Sequence, residues 1–137
     1  MFVEGAVYNR RKDIHEQYGG QQQGGISTPA EHPYVFLFTA ERGQDYGYKD
    51  GWTPEGIFLY TGEGQIGDQE FKRGNKAIRD HQKNGKRLLL FSNVTKGYCR
   101  LEGEMTCENF EFRDAPDKDG NLRKVIVFEL RRTNEAT

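Results

Sequence analysis

Tyr46-Gly-Tyr-Lys-Asp-Gly-Trp52, followed at once by Phe58-Leu-Tyr-Thr-Gly-Glu-Gly64, decides how this chain is read. Two glycine-bracketed segments each present a tyrosine, Tyr48 and Tyr60, and Asp50 sits two residues after the first. Two aromatic faces with a carboxylate between them make a pocket for a flat, polar ring. A nucleobase turned out of a duplex is such a ring, because it needs new stacking partners and groups that read its hydrogen-bonding edge. Asp50 suits the exocyclic amine of cytosine. The plain alternative is that Tyr60 is a core residue of its strand and Tyr48 a surface ring on a turn.

Working outward, short apolar runs flank this stretch. They are Val3–Tyr8, Tyr34–Thr39, Ile57–Thr61, Arg87–Ser92, Gly97–Leu101, Met105–Phe112 and Val125–Arg131, all punctuated by Gly, Pro or Asn/Asp, as strands are. The turn between the last two is expected at Asp119-Gly-Asn121, within a solvated loop over 114–121. Helical patterning is confined to Asp13–Tyr18 and Asn75–Gly85, the second ending on a glycine. The expected architecture is mainly β, a strand-rich barrel or curved sheet with one or two flanking helices, in a single domain over residues 1–137. Seventeen glycines and nine phenylalanines support strands and tight turns over a helical bundle.

The net charge of -1 argues against a polybasic nucleic-acid binder, but the charge is unevenly spread. Residues 69–87 hold seven Lys or Arg against Glu70 and Asp80, whereas 101–120 hold seven acids against Arg113 and Lys118. One basic face fits a short footprint on phosphates. The candidates for that contact are Lys72, Arg73, Asn75 and Lys76 at a basic glycine turn, Arg10 and Arg11, and the glycine-rich segment Gln21, Gln22, Gln23, Gly24 with Ser27. For each, a solvated turn or loop is the alternative.

Catalytic patterns are missing. The histidines are scattered, and there is no H-E-x-x-H, nucleophile elbow or phosphate-cradling loop. Gly62-Glu-Gly-Gln-Ile-Gly67 mimics a dinucleotide fingerprint without its strand–turn–helix setting. Nothing asks for a cofactor or metal. Cys99 and Cys107 lack a CxxC partner and suit reduced thiols of a cytoplasmic protein. The first residues, Met1–Lys12, do not read as a signal peptide, because no apolar stretch follows their basic cluster, and no run approaches membrane-spanning length.

The order of these pieces resembles the SET- and RING-associated (SRA, or YDG) domain over about Gly5 to Phe91. Gly24-Gly-Ile-Ser27 is similar to that family's glycine-isoleucine loop, Tyr48-Lys-Asp-Gly51 to its tyrosine-acidic motif, Phe58-Leu-Tyr-Thr-Gly62 to its strand end, and Gly74-Asn-Lys76 to the start of its Asn-Lys-Arg finger. The resemblance implies a curved SRA/PUA-like barrel that flips modified cytosine, 5-methylcytosine or 5-hydroxymethylcytosine, out of double-stranded DNA. It implies that Tyr48 and Tyr60 stack on the base, that Asp50 reads its edge, and that Thr61 and Gly62 line the pocket. Ala77 stands where the family has an arginine, which implies loose sequence context. The Gln-rich loop looks most like bacterial modules fused to HNH nucleases in type IV restriction, in which case catalysis lies outside these residues. The rival expectations are the same fold reading another nucleic-acid modification, and a small nucleotide- or peptide-acting enzyme using Asp50, Glu63 or His81.

Overall fold

The computed structural model describes residues 2–39 and 50–133. Strand β1 (Val7–Asn9) leads into a π-helical segment (Arg10–His15) that continues as the short helix α1 (Glu16–Tyr18). Asn9 caps this segment reciprocally: its side chain accepts from the Lys12 amide at 2.9 Å, and its own amide donates to Asp13 at 2.8 Å. The helix expected over Asp13–Tyr18 therefore begins earlier and is wider at its start.

Then follow β2 (Ile26–Ser27), β3 (Tyr34–Thr39), β4 (Gly51–Trp52), β5 (Ile57–Thr61), α2 (Arg73–Arg79), β6 (Arg87–Thr95), β7 (Tyr98–Pro116) and β8 (Leu122–Arg132). The strands form one curved sheet in the order β2-β3-β6-β7-β8-β5-β4, with β1 added against β7. Among the described residues, β3 and β6 are the one pair that runs parallel. Their central runs, Val35–Phe38 and Leu88–Phe91, are apolar throughout because they are buried on both faces. Val35, Leu37, Leu88 and Leu90 enter one core with Tyr60, Ile78 and Phe128. Phe36, Phe38, Leu89 and Phe91 enter a second beneath the N-terminal segment, with Ile14 and Cys99.

Other expectations need correction, the first being the strand over Val3–Tyr8, which is confined to Val7–Asn9 behind a turn at Glu4 and Gly5. The strands expected at Gly97–Leu101 and Met105–Phe112 are one strand, β7, with register shifts opposite Leu90/Phe91 and at Cys107/Asn109. Such bulges bend a strand, so β7 pairs with β6 by its first half and β8 by its second. Residues 114–116 are strand rather than loop, paired with Leu122–Lys124. Asp117 closes the turn beyond by accepting from the Asp119 and Asn121 amides at 2.9 and 3.0 Å. Finally, α2 stops at Arg79 instead of reaching Gly85. Just past it the buried His81 ring turns inward to the Lys86 carbonyl and the Cys107 amide, at 2.9 and 3.1 Å.

Candidate functional site

The end of β5 is the centre of the site. Tyr60 is 3% exposed and packs in the main core, as the plain alternative had it. Its hydroxyl lies 2.8 Å from the Gly25 carbonyl and 3.1 Å from that of Phe38. A Cβ at Gly25 would stand 2.8 Å from that hydroxyl, so a glycine is needed there. Burial pushes the Tyr60 pKa up, with Asp50 and Glu63 adding to the effect, so the phenol stays protonated. Asp50 makes a second clasp, accepting from Thr39 Oγ1 at 3.0 Å and from the Thr61 amide at 2.7 Å. Together these side chains join β5 to β2 and β3 across the open side of the sheet.

Beyond Thr61 the chain makes a loop held by buried amides. Gln69 donates to the Gly62 and Gly64 carbonyls at 2.8 and 3.2 Å and accepts from the Ile126 amide at 2.9 Å. Asn75, 2% exposed, accepts from the Glu63 amide at 2.8 Å and donates to the Glu63 and Glu70 carbonyls, each at 2.9 Å. A Cβ at Gly62 would stand 2.7 Å from Asn75 Oδ1. Arg123 donates from β8 to the Gly64 and Gly67 carbonyls at 2.8 and 2.9 Å. These residues fix a cavity of about 380 Å³, lined by Tyr60, Thr61, Gly62, Gly24, Gln69 and Arg123 among others. Neither Gln69 nor Arg123 carries a sequence signal for this role, because each is polar and buried only through tertiary contacts.

The glycine-rich loop borders this cavity and two wider clefts, and Gly24 lines all three. The loop is braced. Gln21 accepts from the Thr28 amide at 2.8 Å, and its carbonyl accepts from Arg10 at 3.3 Å. Gln22 and Gln23 are exposed. One cleft, of about 560 Å³, lies on the α2 side, where Lys72 and Arg73 face Glu63, Asp68 and Glu70, and Lys72 pairs with Glu70 at 3.5 Å. The other, of about 800 Å³, lies on the N-terminal side, between Arg10, Arg11 and the β6–β7 turn.

Of the residues singled out from the sequence, Tyr60, Thr61, Gly62 and Gly24 meet at the cavity, with Asp50 bonded to its Thr61 wall. Tyr48 lies outside the described residues. Arg11, Lys72, Arg73 and Lys76 are exposed, with Arg73 in the left-handed region at φ 48°. Ser27 is 0% exposed, and Asn75 is enclosed with its amide fully used, so both are withdrawn from the surface. Arg10 is half-buried. Its Nε donates to His15 Nε2 at 2.9 Å and its guanidinium lies 3.7 Å from the centre of the Phe38 ring. Among the described residues, no cluster of His, Cys, Asp or Glu is suited to hold a metal ion, and no helix is long and apolar enough to cross a membrane.

His15 and His81 share one proton arrangement. Each Nδ1 lies 2.9 Å from a carbonyl, of Gly19 and Lys86, and so must donate, while Nε2 accepts from Arg10 or Cys107. Desolvation holds both rings below the usual histidine pKa, in each case as the leading cause. The unfolded chain binds protons at these rings near pH ~6.5, where the folded chain does not. Stability is therefore full above that pH and falls as pH drops below it. Urea midpoints at pH 7.5 and 5.5 check this. A lower midpoint at 5.5 is expected, whereas a flat or rising profile means that the folded rings take up protons as readily as the unfolded ones.

The profile of the ScoMcrA-like SRA domain family matches residues 4–136. A solved structure described as the sulfur binding domain and SRA domain of ScoMcrA complexed with phosphorothioated DNA superposes with a TM-score of 0.76 at 26% identity, covering 96% of this chain and 40% of that one. The structure of the type IV phosphorothioation-dependent restriction endonuclease ScoMcrA gives 0.75 at 26% identity, covering 96% of this chain and 28% of that one. The SUVH5 SRA domain in complex with hemi-methylated CG DNA shares the fold, with a TM-score of 0.69 at 20% identity over 98% of this chain and 92% of that one. No curated protein matches the chain. With its profile matched over nearly the whole length, its curved sheet and its glycine-edged cavity at the end of β5, this chain belongs to the ScoMcrA-like SRA domain family.

Proposed function

We propose that this chain binds modified cytosine in duplex DNA, 5-methylcytosine first and 5-hydroxymethylcytosine second, by turning the base into the cavity at the end of β5. In this reading it is the recognition module of a modification-dependent HNH restriction endonuclease of bacterial cytoplasm, and its own residues bind without catalysing. The observation that carries the proposal is the cavity itself. Its volume of about 380 Å³ falls within the roughly 300–1,000 Å³ of ligand sites, and it is walled by the residues that the tyrosine-glycine motif singles out. Tyr60 lines the cavity from the core side, and Tyr48, two residues before Asp50 in the chain, is the second stacking residue that the motif implies. Asp50, fixed against the Thr61 wall of the cavity by its bonds to Thr39 and the Thr61 amide, is the carboxylate that in this reading takes the cytosine amine. Arg11, Arg73 and Lys76 hold phosphates.

Competition binding with four otherwise identical duplexes tests this: 5-methylcytosine, 5-hydroxymethylcytosine, unmodified and phosphorothioated. A fitted pocket for one methyl group discriminates by about 10–200-fold, and a preference in that range for the methylated duplex is expected. Asp50→Asn keeps an oxygen for the Thr61 amide but loses the charge. It should weaken binding to the methylated duplex by about 1–3 kcal/mol, with a melting curve that shows the variant fully folded at the temperature of the titration. Equal binding of all four duplexes sinks base reading. The second reading, motivated by the phosphorothioated DNA of the ScoMcrA structure, predicts a preference for the phosphorothioated duplex alone and no effect of Asp50→Asn.

A further inference from the structure

The 800 Å³ cleft on the N-terminal side differs in charge from its neighbour across the glycine-rich loop. No carboxylate lines it among the described residues; its charged side chains are Arg10, Arg11 and Lys96. Ion pairs occupy Lys72, Arg79, Arg87, Arg113, Lys124, Arg131 and Arg132 elsewhere, but among the described residues no carboxylate pairs with these three. Arg10 is the telling member. A half-buried guanidinium is costly unless an anion accompanies it, yet its neighbours are a neutral histidine, a phenylalanine face and a carbonyl. Opposite Arg10 stands the two-residue turn Lys96-Gly97 of the β6–β7 hairpin, which Thr95 and Tyr98 flank as a pair. The turn is anchored, because the Arg10 amide donates to the Gly97 carbonyl at 2.9 Å and β1 pairs with Tyr98–Arg100. Lys96 is exposed and Tyr98 is 45% exposed, with its hydroxyl available as a donor.

We propose that the β6–β7 turn, through Lys96 and Tyr98, forms with Arg10 and Arg11 a phosphate-binding groove that holds the DNA backbone beside the turned-out base. This rests on the DNA-binding reading above and adds a contact surface to it. The groove and the base cavity meet at Gly24, so a strand lying in one can deliver its base to the other across a braced loop. The α2 side, where carboxylates face the cations, then carries the weaker part of the footprint. The groove is built on a strand pair tied to the protein body, and little ordering is needed on binding.

The test is Lys96→Ala and Lys96→Arg in the full chain, titrated against methylated and unmodified duplexes over a series of salt concentrations. One lost phosphate contact lowers the salt slope by about 0.9, which at 0.1 M salt is about an eightfold loss of affinity. The Ala variant is expected to lose that factor on both duplexes alike, and the Arg variant to keep wild-type affinity and slope. Unchanged affinity and slope in Lys96→Ala, with Asp50→Asn still losing the methylated duplex, would overturn the groove and leave the base reading standing. A loss confined to the methylated duplex would also overturn it, by assigning Lys96 to the base. A wild-type chain that binds no duplex would remove both.

Discussion

Tyr60→Ala is expected to cost about 3–5 kcal/mol of folding stability, the range for an aromatic side chain removed from a core. The residue is fully enclosed among Phe58, Ile126, Phe128 and their neighbours. Its loss also leaves the Gly25 and Phe38 carbonyls without the hydroxyl that lies between them. Urea denaturation measures the change. Tyr60→Phe keeps the ring and should lose only the hydroxyl's share, about 1 kcal/mol. A binding defect in Tyr60→Ala alone therefore says nothing about stacking, and Tyr60→Phe with Asp50→Asn is the pair that separates pocket from core. A Tyr60→Ala protein as stable as wild type would mean that the ring is not packed as described.

Asn75→Ala is the second large effect. Removing one side chain takes partners from the Glu63 amide and from the Glu63 and Glu70 carbonyls. Buried groups left unpaired cost about 1–3 kcal/mol each. Because Glu63 and Glu70 are exposed residues and their backbone groups can recover water, a total of about 2–4 kcal/mol is expected. The same loop walls the cavity, so under the proposed function the variant should lose methylated-DNA preference along with stability. Preference retained in a destabilised protein would show that the cavity wall does not depend on this clamp.

Much of this was legible in the chain because particular residues leave patterns. β3 and β5 have the bounds that their apolar runs suggest, since burial on both faces of β3 writes an unbroken hydrophobic string. The meeting of Tyr60, Thr61 and Gly62 with Gly24 follows from glycines where backbones approach closely. β7 was hidden because Glu102, Gly103 and Glu104 interrupt its alternation at the bulge. The segment Asp114–Asn121 has the composition of a solvated loop, yet its first part pairs with β8 and Asp117 is drawn in against its own turn. The roles of Asn75, Gln69 and Arg123 were illegible for one reason: an amide or guanidinium that satisfies distant carbonyls looks, in sequence, like any surface residue.

The parallel pairing of β3 with β6 has a consequence for how this protein comes into being. Everything from Asp50 through β5, the clamped loop and α2 is an excursion between those two strands. Parallel pairing across so long an excursion is slow, since the chain must close on itself before any contact rewards it. The cavity wall contributed by β8 and the turn of the β6–β7 hairpin lie later still. A chain still emerging from the ribosome thus holds the tyrosine-glycine motif long before it holds a pocket, and the cavity is a property of the finished sheet alone.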